Sequence, residues 1–477
     1  MRRFWRAITF PFRIIPWWGY LIILAVLGWL GRNILLIIAT IIAFHPIPIP
    51  PLFQGEPETV AEARLQDIEH FQHVRRNERS LTADQRAGLQ AAMDELARRA
   101  GTLSDAGFQL ELARIQAMID NGHSNASATR MVEPFARLPI RAAWMDGELR
   151  ILRALPDAED LLGARIVSIN GVAARDALMA FRDAFGGNDA HFMIFAPLLV
   201  ETPDYLEAVG MGAEVTTLGL VLPDGREETR ALEAVAPAED ARRIYPGDLP
   251  LTWIRESDRW SVLAPSARPL YLTNPDNDYW FELLPGGETV YISIRSNLDD
   301  DSGESLRAWV ARAEAEIREL APRFVIVDQR FNGGGDLTQT EPLMSALGDI
   351  VGEDGRIYLL TSGNTFSAGI VNLAMARESA PGRTVIVGEE IGDRLQFWAE
   401  GFWYSLPNSG FRARYSTGFY DLQNGCHGIF ICHWGSLHIF PVIVDDLDVD
   451  IAAPLTFEAY AAGHDPAMEA VLSDIGG

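Results

Sequence analysis

Lysine is absent from this sequence of 477 residues, so each of its 40 basic side chains is an arginine. An arginine guanidinium stays protonated in proteins, which excludes any mechanism in which a lysine amine acts as the base. Acidic side chains number 65 and bring the formal net charge to −25. Because a phosphate backbone is bound by a basic surface, we expect no nucleic-acid partner.

Cysteine is also scarce, with only Cys426 and Cys432, and a histidine follows each of them. A disulfide across a hairpin, a metal site and two unpaired thiols all fit this spacing, so the three alternatives stay open. Internal repeats of 20 to 50 residues are missing as well. With 48% hydrophobic residues, a chain of this length is expected to form several globular domains.

The first 45 residues combine a basic start, aromatic residues at 17–20 and an apolar run to Phe44 that only Arg32 and Asn33 interrupt. A membrane-crossing helix needs about 20 apolar residues, which the two halves supply together if Arg32 snorkels. We therefore predict a single-pass anchor at 1–45, with the rest of the chain extracytoplasmic, or periplasmic in a Gram-negative cell. A cleaved signal peptide and a hairpin or interfacial segment are the alternatives. An extracytoplasmic location would permit a disulfide.

Beyond the anchor, the residue patterns change along the chain. A proline-rich linker at 46–56 precedes helical patterns at 57–125, where Thr82 and Gln85 fit a capping box. Short strands and turns dominate 130–238. Strands alternate with helices at 245–477, which predicts a mixed α/β core. The expected fold class is thus α/β, in a multidomain (α+β) chain.

Two glycine-containing segments follow predicted strands of this core. In "VIVDQRFNGGGD", the buried strand ends at Asp328 and leads into three consecutive glycines, whose backbone amides can approach an anion. A flexible turn is the alternative. In "LTSGNTFSAGI", Ser367 opens a predicted helix beside the amide of Ala368, which could stabilise a negative oxygen. Serine is also a favoured helix cap, so that interpretation stays open.

A histidine follows a predicted helix in "ARIQAMIDNGHSNAS". This helix runs from about Asp105 to Asp120 and stops at Asn121-Gly122, just before His123. A histidine held by such a chain reversal suits a base that takes a proton from a serine hydroxyl. A structural, hydrogen-bonded histidine is the alternative.

The order of "VDQRFNGGGD", "LTSGNTFSAGI", "VIVGEEIGD", "DLDVDI" and "GHDPAMEAVL" resembles the C-terminal processing protease and tricorn-core family of serine peptidases, over roughly residues 105–472. The resemblance implies that Ser367 is the nucleophile and that the amides of Ala368 and Gly334 form the oxyanion hole. It implies a ClpP/crotonase-like α/β catalytic core at 245–477. The segment "LLGARIVSINGVAARDAL" resembles part of a PDZ-like module, here at 130–238, which docks substrate chain ends in relatives.

The family divides by its base, and one branch uses a lysine shortly after a Gly-Glu strand. Here that neighbourhood contains Asp393 and Arg394, neither of which can replace a lysine base. The tricorn-like branch uses a histidine in a motif that "MIDNGHSN" resembles, which makes His123 the base. Sites of that branch also carry a serine beside the histidine and a distant glutamate; here Ser124 follows His123.

The sequence therefore predicts a membrane-anchored serine peptidase with a Ser367–His123 dyad, acting on peptides or proteins without a metal or organic cofactor. A non-catalytic protein that binds peptides or apolar ligands on the same fold is the alternative.

Overall fold

The computed structural model describes residues 26–32, 34–35, 55–237, 260–274, 277–301, 303–428, 431–433 and 441–476. Of the predicted anchor, only 26–32 and 34–35 fall within these ranges, and they are helical; the rest lies outside the described residues, as does the linker up to residue 54. No helix in the described ranges combines the length and apolar character that a membrane crossing requires. Residues 1–48 and 49–477 form separate units, and the second carries everything that follows.

Helices of this second unit begin with a helical region and recur around both sheets. They are α1 (Val60–Asn77), α2 (Ala83–Arg99), α3 (Asp105–Ala117), α4 (Ala128–Val132), α5 (Ala174–Met179), α6 (Asp189–Val200), α7 (Pro203–Ala208), α8 (Leu306–Leu320), α9 (Leu337–Val351), α10 (Ala368–Ser379), α11 (Phe457–Ala462) and α12 (Pro466–Gly476).

Strands fall into an N-terminal and a C-terminal set. The first comprises β1 (Ile140–Met145), β2 (Glu148–Ala154), β3 (Arg165–Ile169), β4 (Val172–Ala173), β5 (Thr216–Val221), β6 (Glu227–Leu232) and β7 (Ser261–Val262). The second comprises β8 (Tyr279–Leu283), β9 (Thr289–Ile294), β10 (Phe324–Asp328), β11 (Arg356–Thr361), β12 (Thr384–Gly388), β13 (Gln396–Ala399), β14 (Phe402–Ser405), β15 (Arg412–Tyr415), β16 (Gly418–Asp421) and β17 (Ile451–Ala452).

The helical region follows the pattern predicted for it. Thr82 and Gln85 form the expected capping box at the start of α2, each side chain bonding the other's backbone amide. Helix α3 ends at Ala117, before the predicted stop, because the chain reverses through Asp120 with a positive φ of 52°. This reversal delivers Gly122–Ser124, a single 3₁₀ turn, to the interior.

The β-rich module is an antiparallel sheet in the order β1-β2-β3-β5-β6, with β4 on β3 and β7 on β2. Its buried face shares one hydrophobic core with the helical region and with the hairpin of β14 and β15, through Tyr404, Phe411 and Tyr415. One core thus spans the β-rich module, the helical region and the β14–β15 hairpin, and no gap in the packing marks a boundary between them. The domain boundaries predicted from the sequence stay a prediction.

The C-terminal sheet positions the candidate site. Its order is β17-β12-β11-β10-β9-β8, and all neighbours are parallel except the β8–β9 hairpin. All five residues of β10 are buried, as expected for a strand with helices on both faces. Asp328 at the end of β10 pairs with Leu360 near the end of β11. The turns that follow these two strands therefore emerge side by side at the carboxyl edge of the sheet.

Two small antiparallel pairs follow this sheet: β14 with β15 packs into the core of the helical region, and β13 with β16 packs into the core of the C-terminal sheet. Cys426 and Cys432 follow β16 and form a disulfide. Of the three alternatives for these cysteines, the structure therefore has the disulfide.

Candidate active site

Ser367 occupies the N-cap position of α10, but it does not act as a cap. Its hydroxyl makes no capping hydrogen bond, and its backbone has φ 54° and ψ −122°. A residue with a side chain pays about 1–3 kcal/mol to hold such a conformation, which glycine adopts freely. The serine is partly exposed. The helix-cap interpretation of Ser367 is therefore wrong, and a strained serine whose hydroxyl makes no capping hydrogen bond stands at the start of the helix.

The glycine turn after β10 packs directly against this serine. Gly334 has a φ of +105°, and a Cβ added there would lie 2.6 Å from Ser367 Cβ and 3.2 Å from the amide nitrogen of Ala368. Only glycine permits this approach. The Phe366 amide donates to the carbonyl of Asn332 at 2.9 Å, which ties the two turns together.

The two predicted oxyanion donors differ in their present partners. Ala368 is the first residue of α10, where amides lack an intrahelical partner. The Gly334 amide donates to Asn332 Oδ1 at 2.8 Å. The side chain of Asn332 is fully buried and donates in turn to Asn297 Oδ1 and Gln329 Oε1, both at 2.8 Å. Asn332 thus holds the shape of the glycine turn by bonding the amide that the sequence assigned to the oxyanion.

A buried ion cluster anchors the start of this turn. The Arg330 guanidinium donates to Asp328 Oδ2 at 2.6 Å and to Asp465 Oδ1 at 2.8 Å, and all three residues are at most 5% exposed. Burial alone would raise the pKa of Asp328, but the charge and hydrogen bonds of Arg330 outweigh it and lower that pKa. The Asp328 carboxylate therefore stays charged, and the two acids together keep Arg330 fixed.

His123 lies in the interior between two aromatic rings. Its imidazole stacks on Phe366 at a centroid distance of 4.3 Å and on Phe397 at 5.1 Å, and the residue is 3% exposed. A Cβ on the preceding Gly122 would lie 2.7 Å from Asp393 Oδ2 and 3.1 Å from Phe366 Cε2. Glycine at 122 therefore allows the histidine turn to pack against both the serine loop and Asp393.

Asp393 is the functional candidate that sequence reasoning missed. Its Oδ2 lies 3.4 Å from His123 Nδ1, without the alignment of a hydrogen bond, and neither atom has another partner among the described residues. Its Oδ1 accepts from the Arg394 amide at 2.9 Å. From the sequence, Asp393 was interpreted only as a poor replacement for the lysine base. An acid at the place of the family's lysine, in a chain without lysine, was nevertheless a signal for a residue that orients the histidine.

Burial lowers the pKa of His123, and Asp393 offsets part of that effect by favouring the charged ring. At neutral pH the ring is therefore neutral, as a proton acceptor must be. Its Nε2 makes no hydrogen bond with any described residue, Ser367 included. The structure brings His123 against Phe366, the neighbour of Ser367, without forming the serine–histidine hydrogen bond.

A second buried network fixes the turn that carries the histidine. Ser124 Oγ donates to Glu78 Oε2 at 2.7 Å, and Asn121 Nδ2 donates to Ser124 Oγ at 2.8 Å. The same carboxylate oxygen accepts from the Ser416 amide at 2.8 Å. Burial raises the pKa of Glu78. The serine beside the histidine thus has a distant glutamate as its partner, and Glu78 comes from the end of α1, where no motif marked it.

An exposed ion pair joins the histidine turn to the loop of Asp393. Arg394 Nη2 donates to both carboxylate oxygens of Asp120, each at 3.0 Å. Arg394 Nη1 also donates to the Asp120 carbonyl at 3.3 Å. Asp120 and Arg394 flank His123 and Asp393, so this pair ties together the segments that carry the two inner residues.

The similarity of this chain to known proteins is found in comparisons of structure. The chain superposes on mature CPAF complexed with lactacystin with a TM-score of 0.54 and 14% identity, covering 87% of this chain and 98% of that one. The chain has the fold of mature CPAF. A photosystem II D1 C-terminal processing protease matches at a TM-score of 0.37 and 12% identity, over 85% of this chain and 98% of that one. Tricorn protease matches at 0.30 and 11%, over 87% and 36%.

CPAF is a serine peptidase of the S41 family, so the resemblance predicted from the motifs is confirmed at the level of the fold. The mixed α/β, multidomain fold class is confirmed with it. No protein-family model matches the sequence, and no curated protein matches it. Since fold alone does not determine function, the activity has to be argued from the site.

Proposed function

We propose that the protein is a serine peptidase in which Ser367 is the nucleophile, His123 the base and Asp393 the residue that orients the base. One observation carries the proposal: Ser367 is held in a strained conformation, with its hydroxyl uncapped, against a glycine turn that only glycine can form. Strain of this kind is retained where the position of a side chain matters for chemistry. The CPAF fold supports the same reaction class.

In the proposed reaction, His123 Nε2 takes the hydroxyl proton while Ser367 Oγ attacks the carbonyl carbon of a peptide bond. The protonated imidazole then gives that proton to the leaving amine, and an acyl-enzyme remains. Water, deprotonated by His123, releases the acyl group and restores the serine. Asp393 keeps Nδ1 protonated and stabilises the imidazolium. Substrate binding has to bring Nε2 within hydrogen-bond range of Ser367 Oγ, a tightening expected between apo and substrate-bound sites.

The oxyanion would be bound by the amides of Ala368 and Gly334. Because the Gly334 amide donates to Asn332 in the free site, its use requires that the developing oxyanion replaces Asn332 Oδ1 as the acceptor. A charged oxygen is the stronger acceptor, so the exchange would favour the tetrahedral intermediate over the ground state.

The finer architecture belongs to the same proposal. The parallel sheet with Ser367 at its carboxyl edge fits a ClpP/crotonase-like catalytic core, and the antiparallel module fits a PDZ-like domain that docks peptide ends. The apolar segment at 1–45 would anchor the chain in the cell membrane, with the catalytic unit extracytoplasmic. The Cys426–Cys432 disulfide supports that location, since disulfides persist in oxidising compartments.

The test is labelling of the purified full-length protein in detergent by a serine-directed fluorophosphonate, together with cleavage of a peptide library. Wild type should be labelled and active, whereas Ser367→Ala should be neither, and His123→Ala should lose both by at least about 100-fold. Exposed Ser405 offers a matched control, because Ser405→Ala makes the same chemical change outside the site. Equal labelling of wild type and Ser367→Ala would refute the proposal.

A non-catalytic peptide-binding protein is the second candidate. Two observations favour it: His123 Nε2 has no partner among the described residues, and the Gly334 amide is committed to Asn332. The same assay separates the candidates. A binding protein would retain peptides with equal affinity in wild type and His123→Ala while cleaving none.

A further inference from the structure

A cavity of about 80 Å³ lies between the β-rich module and the C-terminal sheet. Its walls are mainly apolar and come from Trp144 and Met145 of β1, Met193 of α6, and the loop residues Phe331 and Leu455. A water molecule needs about 10–15 Å³ of such space, so the cavity has room for roughly five to eight atoms of that size. This is the size of a medium-length amino-acid side chain.

One polar side chain in its wall is unaccounted for by the fold. Asn364 is 2% exposed, and both Nδ2 and Oδ1 lack hydrogen-bond partners among the described residues. A buried amide in this state costs about 1–3 kcal/mol for each unsatisfied group. The backbone amide of Asn364 donates to Ser362 Oγ at 3.1 Å, so only the side-chain amide lacks a hydrogen-bond partner among the described residues. The missing partner must both accept from Nδ2 and donate to Oδ1.

The remaining polar groups of the wall narrow the choice of ligand. Arg330 is already held by Asp328 and Asp465. Glu389 accepts from the Leu455 amide at 2.8 Å through Oε1, and burial raises its pKa, which favours the neutral acid. A carboxylate entering this cavity would leave Asn364 Oδ1 unpaired. An ammonium group would leave Asn364 Nδ2 unpaired.

We propose that this cavity is a substrate subsite that binds a side chain with an apolar stem and a primary amide tip, that is, glutamine in a peptide. The amide of glutamine offers one acceptor and two donors, which pair with both groups of Asn364 and leave one donor for Glu389. Its methylene stem fits the apolar walls. This proposal rests on the proposed peptidase function and names the substrate preference of the same site.

Chain connectivity sets the distance from the cavity to the reacting serine. Asn364 precedes Ser367 by three residues, which places their Cα atoms at most about 11 Å apart. Phe331 likewise precedes Gly334 by three residues. An extended substrate advances about 3.3 Å per residue. The preferred glutamine should therefore lie within three residues of the scissile bond.

The experiment measures kcat/KM of the full-length protein on peptides that are identical except for Gln, Leu, Glu or Lys at each of the three positions on either side of the cleaved bond. At one position Gln should exceed the other three by roughly 5- to 150-fold, the ratio expected for one buried hydrogen-bonding group. Asn364→Leu, which keeps the volume and removes the amide, should reduce the Gln-to-Leu ratio to about 1. Asn424→Leu makes the same change at an exposed residue and should keep the ratio.

A second variant guards against misfolding of Asn364→Leu. Met193→Trp fills the cavity from α6 and should lower kcat/KM for Gln more than for Ala, a fifth residue tested at the chosen position. A wild-type enzyme that cleaves peptides with a Gln-to-Leu ratio near 1 at every position would overturn the subsite while leaving the peptidase intact. Wild type that is neither labelled by the phosphonate nor active on any peptide would instead refute the proposed function.

Discussion

Replacing Ser367 by glycine should stabilise the protein, whereas replacing it by alanine should not. Ser367 has a φ of 54° and a ψ of −122°, a region that costs a residue with a Cβ about 1–3 kcal/mol. Alanine keeps the Cβ and its strain. Glycine relieves the strain but adds about 0.4–1 kcal/mol of chain entropy to the unfolded state. Glycine at 367 should therefore exceed alanine in unfolding free energy by about 0.5–2 kcal/mol.

Calorimetry of the two inactive variants measures this difference without interference from catalysis. At about 2.1 cal/mol/K per residue, unfolding of residues 49–477 as one unit shifts Tm by about 1 °C per kcal/mol, so replicate scans must resolve shifts of about 0.5–2 °C. Exposed Ser405 in strand β14 supplies the control pair, because there glycine should be less stable than alanine. If glycine at 367 proved no more stable than alanine, Ser367 would not be strained and the main argument for a placed nucleophile would fail.

Three further outcomes follow from the site. Asp393→Asn should lower kcat about 10²- to 10⁴-fold. Because Asp393 raises the pKa of His123, the acid limb of the kcat/KM–pH profile should also move to lower pH in this variant. An unchanged acid limb would show that Asp393 does not act on His123. Burial lowers the pKa of His191 to about 4, so the unfolded chain binds the extra proton between pH 6.5 and 4, and about 3 kcal/mol of stability should be lost as pH falls through that window. Denaturant titrations of wild type and His191→Gln at several pH values measure this loss. If the unfolding free energies of the two proteins fell equally with pH, the assignment would be contradicted. Gly122→Ala should destabilise the histidine turn by about 1–3 kcal/mol, since its Cβ would clash with Asp393; an unshifted denaturation midpoint would speak against that packing.

Local patterns were sufficient where the physical cause is local. The apolar strand before the three glycines, the capping box of Thr82 and Gln85, and the chain reversal before His123 all depend on residues close in sequence. The alternation of strands and helices was sufficient for the α/β fold class, because parallel strands need crossover connections that are usually helices.

Contacts between distant segments could not be read in that way. Asp393 lies 270 positions from His123, and Glu78 reaches Ser124 from the end of another helix. No local pattern distinguishes Glu78 from a solvated surface acid, and Asp393 is marked only by its place in the resemblance, where relatives carry a lysine. The bond from the Gly334 amide to Asn332 was equally hidden, because it depends on the exact turn of the backbone.

The sequence by itself determined which chemistry was excluded: without lysine, no lysine amine can act as the base of a serine site. It also predicted that Gly334 lies in a turn and that Ser367 opens a helix, because the neighbouring residues set the local backbone. Only the tertiary structure decided that the Ser367 hydroxyl is not a helix cap, that Asp393 faces His123, and that Asn364 is buried in the wall of a cavity. These depend on burial and on pairs of side chains brought together by folding, which a linear pattern does not encode.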